Sequence, residues 1–428
     1  MTEQCDVLII GGGPAGSTAA AMLAAQGHDV VLLEREHHPR FHIGESLLPR
    51  NTALLDKLGL RDQVAAIGVH KPGAEFVSDA TGQSVAFSFA LGLDKQYTSS
   101  WQVRRADFDE LLFRTAAARG ARTQEGMRVT EMQFAPPGGR AQVAADGPNG
   151  PHTYAPRFVL DASGRDTFLA GKLGTKASNK RNTTAALYGH FQGVERRSGE
   201  LEGYITVHLA DDGWFWMIPL PGDVMSVGFV GDHTAFKGRR GTPHDLFMQR
   251  IQGSPTVRAR MANATLQGEV TSTGNYSYRS TEGWGEGYLM IGDAFGFVDP
   301  VFSSGVLLAM TAGDMGADVA AAWLQDPARG RAKARRMQRE LTHAMDRISW
   351  LIYRINTPAL RHLFMAPKNV LRMRDGLVSL LAGNLRGSWN SVIPVLAFKG
   401  VFYAMSLAMR VGLYPRPPVA SAQLAAAE

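Results

Sequence analysis

The stretch "CDVLIIGGGPAGSTAAAMLAAQGHDVVLLE", residues 5–34, restricts the possible fold more than any other part of the chain. An apolar run meets three glycines, a small-residue stretch ends at Gly27, and a second apolar run ends at Glu34. In Gly11-x-Gly13-x-x-Gly16 the first glycine makes a tight turn. The second lets backbone approach an anion, and the third lets a helix pack closely on a strand. The helix start that follows offers free N–H groups and the positive end of a dipole. Glu34 closes the second strand, where a carboxylate meets a ribose diol. The stretch reads as a strand–helix–strand unit for a dinucleotide. Gly11, Gly13, Ala15 and Gly16 lie at the phosphates, with Glu34 and Arg35 beyond them.

"FDELLFRTAAARGA", "RFVLDASG", "GYLMIGDAFGFVDP" and "GVLLAMTAGDMGADVAAAWL" continue an alternation of helices and strands. Residues 73–103 and 186–280 differ. Apolar and polar residues alternate between turn signals, as in "SVAFSFAL" and "VMSVGFVG", which predicts an inserted antiparallel sheet. From 326 the pattern is helical, broken at Pro358, Pro367 and Gly383. The expected class is α/β plus β. A Rossmann-like, discontinuous dinucleotide domain (1–72, 104–185 and 281–325) carries an inserted antiparallel β-sheet substrate domain (73–103 and 186–280). A C-terminal helical region (326–428) follows. With 428 residues, 45% of them hydrophobic, the chain can fill more than one core.

Composition excludes several classes. The single cysteine, Cys5, supports neither a disulfide framework nor a thiolate metal cage, and points to the cytoplasm. The net charge of +6 is scattered. Its densest segment, "RGRAKARRMQRE", reads as a solvated helix face or a dock for an acidic protein, not as a nucleic-acid site. The run "SVIPVLAFKGVFYAMSLAMRVGL" is interrupted by Pro394, Lys399 and Arg410, so it reads as a buried or interfacial helix and no integral membrane segment is expected. The first apolar run is too short for a secretory signal. No His, Asp or Glu cluster has metal spacing, and neither a Gly-x-Ser-x-Gly elbow nor a P-loop lysine occurs.

Arg105 in "QVRRADFDELL", Asp161 in "LDASG" and Asp293 in "GYLMIGDAFGFVDP" each read alone as a surface charge, a strand-end carboxylate or a turn residue. In this order the segments resemble the FAD-dependent aromatic-hydroxylase-like superfamily, which implies FAD with all three residues in its site. A narrower resemblance rests on "GESLLP" (44–49), "KPGAEF" (71–76), "WFWMIP" (214–219) and "DPVFSSG" (299–305). Their order is similar to that of flavin-dependent halogenases, in the phenol, pyrrole and carrier-protein-linked branch rather than the free-tryptophan branch. The Trp-x-Trp-x-Ile-Pro pattern is the most diagnostic piece. The resemblance implies that reduced FAD, oxygen and a halide yield hypohalous acid, which reaches a lysine and then an electron-rich aromatic ring. No separate nicotinamide domain is visible, so a partner flavin reductase is expected to supply reduced FAD.

Lys71 falls at the position of the family's reactive lysine. An ammonium there hydrogen-bonds and polarises hypohalous acid; a neutral amine, which needs a lowered pKa, becomes a haloamine. Both roles stay open. Ser304 and Gly305 start a helix, and their N–H groups form a halide site or simply an N-cap. Phe302 departs from the free-tryptophan branch, whose glutamate at that position acts on substrate or proton; here another group or water must take the ring proton, or the substrate must be acidic enough by itself, as a phenol is. Trp214 and Trp216 share a face in an extended segment. They are core, or they wall the flavin from the substrate so that activated oxygen never meets the ring. Glu45 and Ser46 offer polar contacts near the flavin. A flavin monooxygenase, an isoprenoid-type reductase, or a flavin-binding component without halogenation remain alternatives. The basic helical end caps the substrate domain or docks an acidic acyl or peptidyl carrier protein.

Overall fold

Thr2–Ile10 lies at the centre of a mostly parallel sheet because Val7 to Ile10 are apolar on both faces and fully covered. The computed structural model describes residues 2–415 except 137, 180–183, 237–240, 275–276, 386 and 388; the end of the expected helical region, 416–428, lies outside the described residues. The sheet runs Trp284–Gly285, Tyr288–Met290, Gly150–Asp161, Thr2–Ile10, Val30–Leu33, Arg122–Gln124. An antiparallel hairpin, Arg128–Gln133 and Gln142–Gly147, is added to Gly150–Asp161. Register pairs Ile10 with both Leu33 and Asp161, so the carboxyl ends of three strands converge beside the glycine turn. The helix Pro14–Ala24 packs against the long helix Gly305–Gln325. A Cβ at Gly313 would lie 2.3 Å from the Ala15 carbonyl oxygen, which is why the contact is so close.

A second sheet has seven strands in the order Thr265–Gly274, Thr184–Gln192, Val224–Asp232, Gly213–Leu220, Ile205–Ala210, Gly73–Ser78, Ser84–Ser88. The expectation of a purely antiparallel sheet is corrected at one joint. Ile205–Ala210 and Gly73–Ser78 are parallel, with Thr206 opposite Glu75. These strands are far apart in the chain, so no hairpin forces them antiparallel. The placement of 100–103 in this sheet is also corrected. Ser100–Val103 pairs instead with Gly68–Lys71 in a two-stranded ribbon, and Lys71 ends its strand.

The seven-stranded sheet separates two cores. Trp214, Trp216 and Ile218 join the main core, shared with Phe76, Ile205 and the helices, whereas Phe215 and Met217 join a smaller core with Phe247 and Ile251. The helices Pro327–Ile352, Pro358–Met365, Met373–Leu381 and Trp389–Arg410 complete the described chain. Asp326 caps the first of these, accepting from the Ala328 N–H at 2.8 Å. Two helices, Gly305–Gln325 and Asn390–Arg410, are long and apolar enough to cross a membrane by length and composition; the first is largely buried in the protein.

Candidate active site

The glycine turn is packed beneath and open above. Gly11 has φ of +100°, and a Cβ there would come within 2.4 Å of the Ala162 carbonyl oxygen. A Cβ on Gly16 would lie 1.9 Å from the Gly11 carbonyl oxygen. At Gly13, by contrast, nothing is nearer than an Arg40 guanidinium nitrogen at 3.8 Å. No side chain caps the helix and none in its first turn is acidic. An open helix start with room at the central glycine fits a pyrophosphate. Glu34 is buried. Its Oε2 accepts from the Gly12 N–H at 2.8 Å and Arg40 at 3.3 Å, and its Oε1 accepts from the Glu36 N–H at 2.9 Å. Oε1 keeps a lone pair for a ribose hydroxyl. Arg35 is more exposed and pairs with Glu36 and Asp166.

Asp161, expected in the cofactor site, is held within its own loop. Both its oxygens accept from its own loop, the Ser163 N–H at 3.0 Å and the Leu169 N–H at 2.8 Å, so it shapes the turn after its strand. Burial raises its pKa above the usual carboxylate value. Asp293 is half-buried in the turn Gly292–Ala294, and among the described hydrogen bonds none ends on its carboxylate. Burial pushes its pKa up to about 6, against the pull of Arg105 and Arg165. Arg105 is buried and holds Asp109 with two bonds, 2.7 and 2.9 Å, while donating to the Ile43 carbonyl at 2.8 Å. Burial, the largest single effect, would lower its pKa; the charge and hydrogen bonds of Asp109, with the charges of Asp293 and Glu45, together outweigh it and leave a firm cation beside Asp293.

The segment 44–49 ties this cofactor side to Lys71. Gly44 has φ of +107°, and a Cβ there would be 3.1 Å from Arg105 Nη1 and 4.0 Å from Val306. Residues 45–47 then run beside Ser100–Val103: Val103 N–H donates to the Glu45 carbonyl at 2.8 Å and Leu47 N–H to the Trp101 carbonyl at 3.0 Å. Lys71 is 1% exposed. Its Nζ donates to Ser46 Oγ at 2.7 Å and the Leu47 carbonyl at 2.8 Å, and lies 5.4 Å from the Phe89 ring centroid. No carboxylate pairs with it among the described residues. Burial without a counter-charge brings its pKa from 10.5 down to about 7. The amine is thus held near the midpoint of its titration at neutral pH, and Ser46, expected at the flavin, serves as its anchor.

Ser303 has φ of +57° and sets up the start of the helix Gly305–Gln325. Ser304 is fully buried, and its hydroxyl has no partner among the described residues. A Cβ added at Gly305 would meet nothing within 4 Å, so there is open space beside the first helical residue. A buried free hydroxyl beside an open helix start is suited to an anion. The tryptophan strand lies close by: Gly213–Leu220 packs against both Gly68–Lys71 and Ser100–Val103. Trp214 and Trp216 have ring centroids 5.9 Å apart, and Trp216 Nε1 donates to Ser226 Oγ at 3.1 Å. Gly228 opposes Trp216, and a Cβ there would fall 2.1 Å from the indole. The indole therefore lies flat across the neighbouring strand.

A family model for the FAD binding domain matches residues 4–339. The 1H-pyrrole-2-carbonyl-[peptidyl-carrier protein] brominase of Pseudoalteromonas luteoviolacea is 32% identical over 321 residues, 74% of this chain and 77% of that protein. The chain belongs to the flavin-dependent halogenase family. A tryptophan 2-halogenase of Chondromyces crocatus is 35% identical over 317 residues, covering 72% of this chain; the match spans 60% of that relative's length. Among solved structures, a flavoprotein/dehydrogenase from Cytophaga hutchinsonii superposes with a TM-score of 0.86 at 28% identity, covering 96% of this chain and 100% of that one.

Several neighbours in this halogenase-family fold gave no sequence signal. Glu45 is buried, with Oε1 2.8 Å from His190 Nε2 and Oε2 without a partner among the described residues. Alternation from Ser46 places Glu45 on the opposite side of the segment from Lys71, but nothing in the sequence singles out His190. Phe41 is exposed and stacks on Tyr188, 6.4 Å between centroids. Phe302, the departure noted above, is buried in an aromatic cluster: 6.2 Å from Phe364 and 6.5 Å from Phe76, with Phe87 5.7 Å from both of these. Phe364 comes from the helix Pro358–Met365, so the helical region reaches into the neighbourhood of Gly73–Ser78.

Proposed function

We propose that the protein halogenates an electron-rich aromatic compound, phenolic or pyrrolic, free or tethered to a carrier protein, with FAD as cofactor and chloride or bromide as co-substrate. When bound, reduced FAD supplies the electrons with which dioxygen and a halide become hypohalous acid. Gly11, Gly13, Ala15 and Gly16 hold the pyrophosphate, Glu34 and Arg35 the ribose end, and Arg105 and Asp293 the ribityl side, with Asp161 shaping the turn. Ser304 and Gly305 hold the halide. Trp214 and Trp216 separate flavin and aromatic substrate. A partner reductase supplies reduced FAD. A cytoplasmic setting fits a chain whose single cysteine, Cys5, is buried and free of any disulfide.

The observation that carries the reading is Lys71: buried, without an acid, and held by Ser46 and the Leu47 carbonyl. As the ammonium it donates a hydrogen bond to hypohalous acid and makes the halogen more electrophilic. As the neutral amine it exchanges N–H for N–halogen and releases water. With its pKa near 7, both forms are populated at neutral pH. In either case the aromatic carbon gains halogen and loses a proton to water, because Phe302 cannot accept it. The test is a reductase-coupled reaction with Lys71→Met beside wild type, read as halogenated product. The second reading, an FAD-dependent oxidoreductase that takes nicotinamide electrons itself, is favoured by the likeness to the Cytophaga flavoprotein/dehydrogenase. It predicts NAD(P)H oxidation by the protein alone.

A further inference from the structure

The last described helix, Trp389–Arg410, is predominantly apolar yet poorly covered. A helix hydrophobic all round normally sits in a core or in lipid. Here only 28% of its most apolar 18-residue window is buried. Phe398, Phe402 and Met409 anchor one side to the body, where the helices Pro358–Met365 and Met373–Leu381 pack on it. On the opposite side Ile393, Leu396, Tyr403 and Leu407 are each more than half exposed. Their spacing, with Gly400 between, puts them on one stripe of the surface. The exposed positions from Ile393 to Leu407 carry no charge at all. Val411 and Leu413 extend the apolar surface beyond the helix end, and the turn Val370–Arg372, which packs on the helix, adds exposed Val370 and Leu371. A surface of this extent on a soluble chain marks a docking site.

The charges beside the stripe say what kind of partner fits. Trp350 Nε1 donates to the Tyr403 hydroxyl at 2.9 Å. Lys399 and Arg354 each lie 4.8 Å from the Trp350 ring centroid, and Arg354 lies 6.0 Å from that of Tyr403. Arg347 is close enough to act on Lys399, and burial together with Arg347 and Arg354 holds the Lys399 amine below its ordinary value. Among the described residues none of these three cations is in an ion pair. Arg410 stands exposed at the helix end, and from 366 to 415 the one acidic residue is Asp375. The arrangement is an apolar stripe, a tryptophan and a tyrosine with polar tips, and unpaired cations beside them.

We infer that this face docks on a membrane surface that bears anionic phospholipid. Ile393, Leu396 and Leu407 enter the acyl boundary, Tyr403 and Trp350 sit at headgroup level, and Arg347, Arg354, Lys399 and Arg410 meet the phosphates. The helix lies in the interface rather than through the bilayer, because its other side is packed on the body. A second copy of the chain is a poorer occupant, since it would set the same uncompensated cations against one another.

The test is flotation of the full-length protein with phosphatidylcholine vesicles, with and without phosphatidylglycerol. The wild type binds anionic vesicles at least about tenfold more than neutral ones, and raised salt weakens the binding. Leu396→Glu with Leu407→Glu abolishes it while FAD absorbance stays that of wild type. If that pair fails to hold FAD, Lys399→Gln with Arg410→Gln decides: it lowers binding to anionic vesicles several-fold and leaves the weak binding to neutral ones unchanged. Absence of vesicle binding by wild type overturns the inference. So does a dimer in light scattering that Leu396→Glu with Leu407→Glu dissociates.

Discussion

Replacing Lys71 with methionine should make the protein more stable below neutral pH while destroying its chemistry. The amine titrates near 7 when folded and near 10.5 when free in the unfolded chain. Between these values the unfolded chain binds more protons, so wild-type stability rises as pH rises from about 7 to 10.5. Below about pH 7 the whole penalty of burying the cation is present, roughly 5 kcal/mol for that gap. Methionine fills similar space without the charge. It leaves Ser46 Oγ and the Leu47 carbonyl without their donor, a loss of about 1–3 kcal/mol. The variant should therefore be more stable by about 2–4 kcal/mol at pH 6, and less stable by about 1–3 kcal/mol above about pH 11. Urea unfolding followed by tryptophan fluorescence at the two pH values measures this. A variant less stable at pH 6, or a difference that does not move with pH, refutes the argument that Lys71 is a buried, uncompensated cation.

Trp216→Ala should lose about 3–5 kcal/mol of stability in the same assay, because it empties the space over Gly228 and frees Ser226. The milder Trp216→Phe should stay folded and, if the indole is a partition, release hydroxylated product or peroxide, which a peroxide assay detects. Ser304→Ala should raise the halide KM about tenfold, equal to one lost hydrogen bond to an anion, and leave the melting temperature unchanged or higher, since a buried hydroxyl without a partner is removed. Asp293→Asn should weaken FAD binding about tenfold, read by flavin fluorescence. It should also raise the stability of the FAD-free protein at pH 7. The folded carboxyl titrates near 6 and the free one near 3.8, so wild-type stability falls as pH rises across that interval.

The nucleotide turn was legible because its glycines answer to local backbone clashes, at Ala162 for Gly11 and at Gly11 for Gly16. The common face of Trp214 and Trp216 was legible for the same kind of reason, since strand alternation is local. The parallel pairing of Ile205–Ala210 with Gly73–Ser78 was not, because register between distant strands is set by the packed sheet and leaves no mark in either segment. Gly68–Lys71 is too short, with Gly, His and Lys in four positions, to show an alternation, so the strand ending at Lys71 left no signal in the sequence. Asp161 looked like a cofactor ligand because a strand-end carboxylate before a glycine turn has the same sequence whether it caps its own loop or binds a hydroxyl. The Glu45–His190 contact and the reach of Phe364 toward Phe302 depend on segments that only tertiary packing brings together.

The most direct test of the account is a mass spectrum of the product formed with a flavin reductase, oxygen and chloride or bromide, over a panel of phenols, pyrroles and carrier-bound acyl thioesters. The account predicts a product bearing the isotope pattern of the added halide, formed by wild type and lost in Lys71→Met. A product that is only hydroxylated, or a halogenated one formed equally well by Lys71→Met, contradicts it.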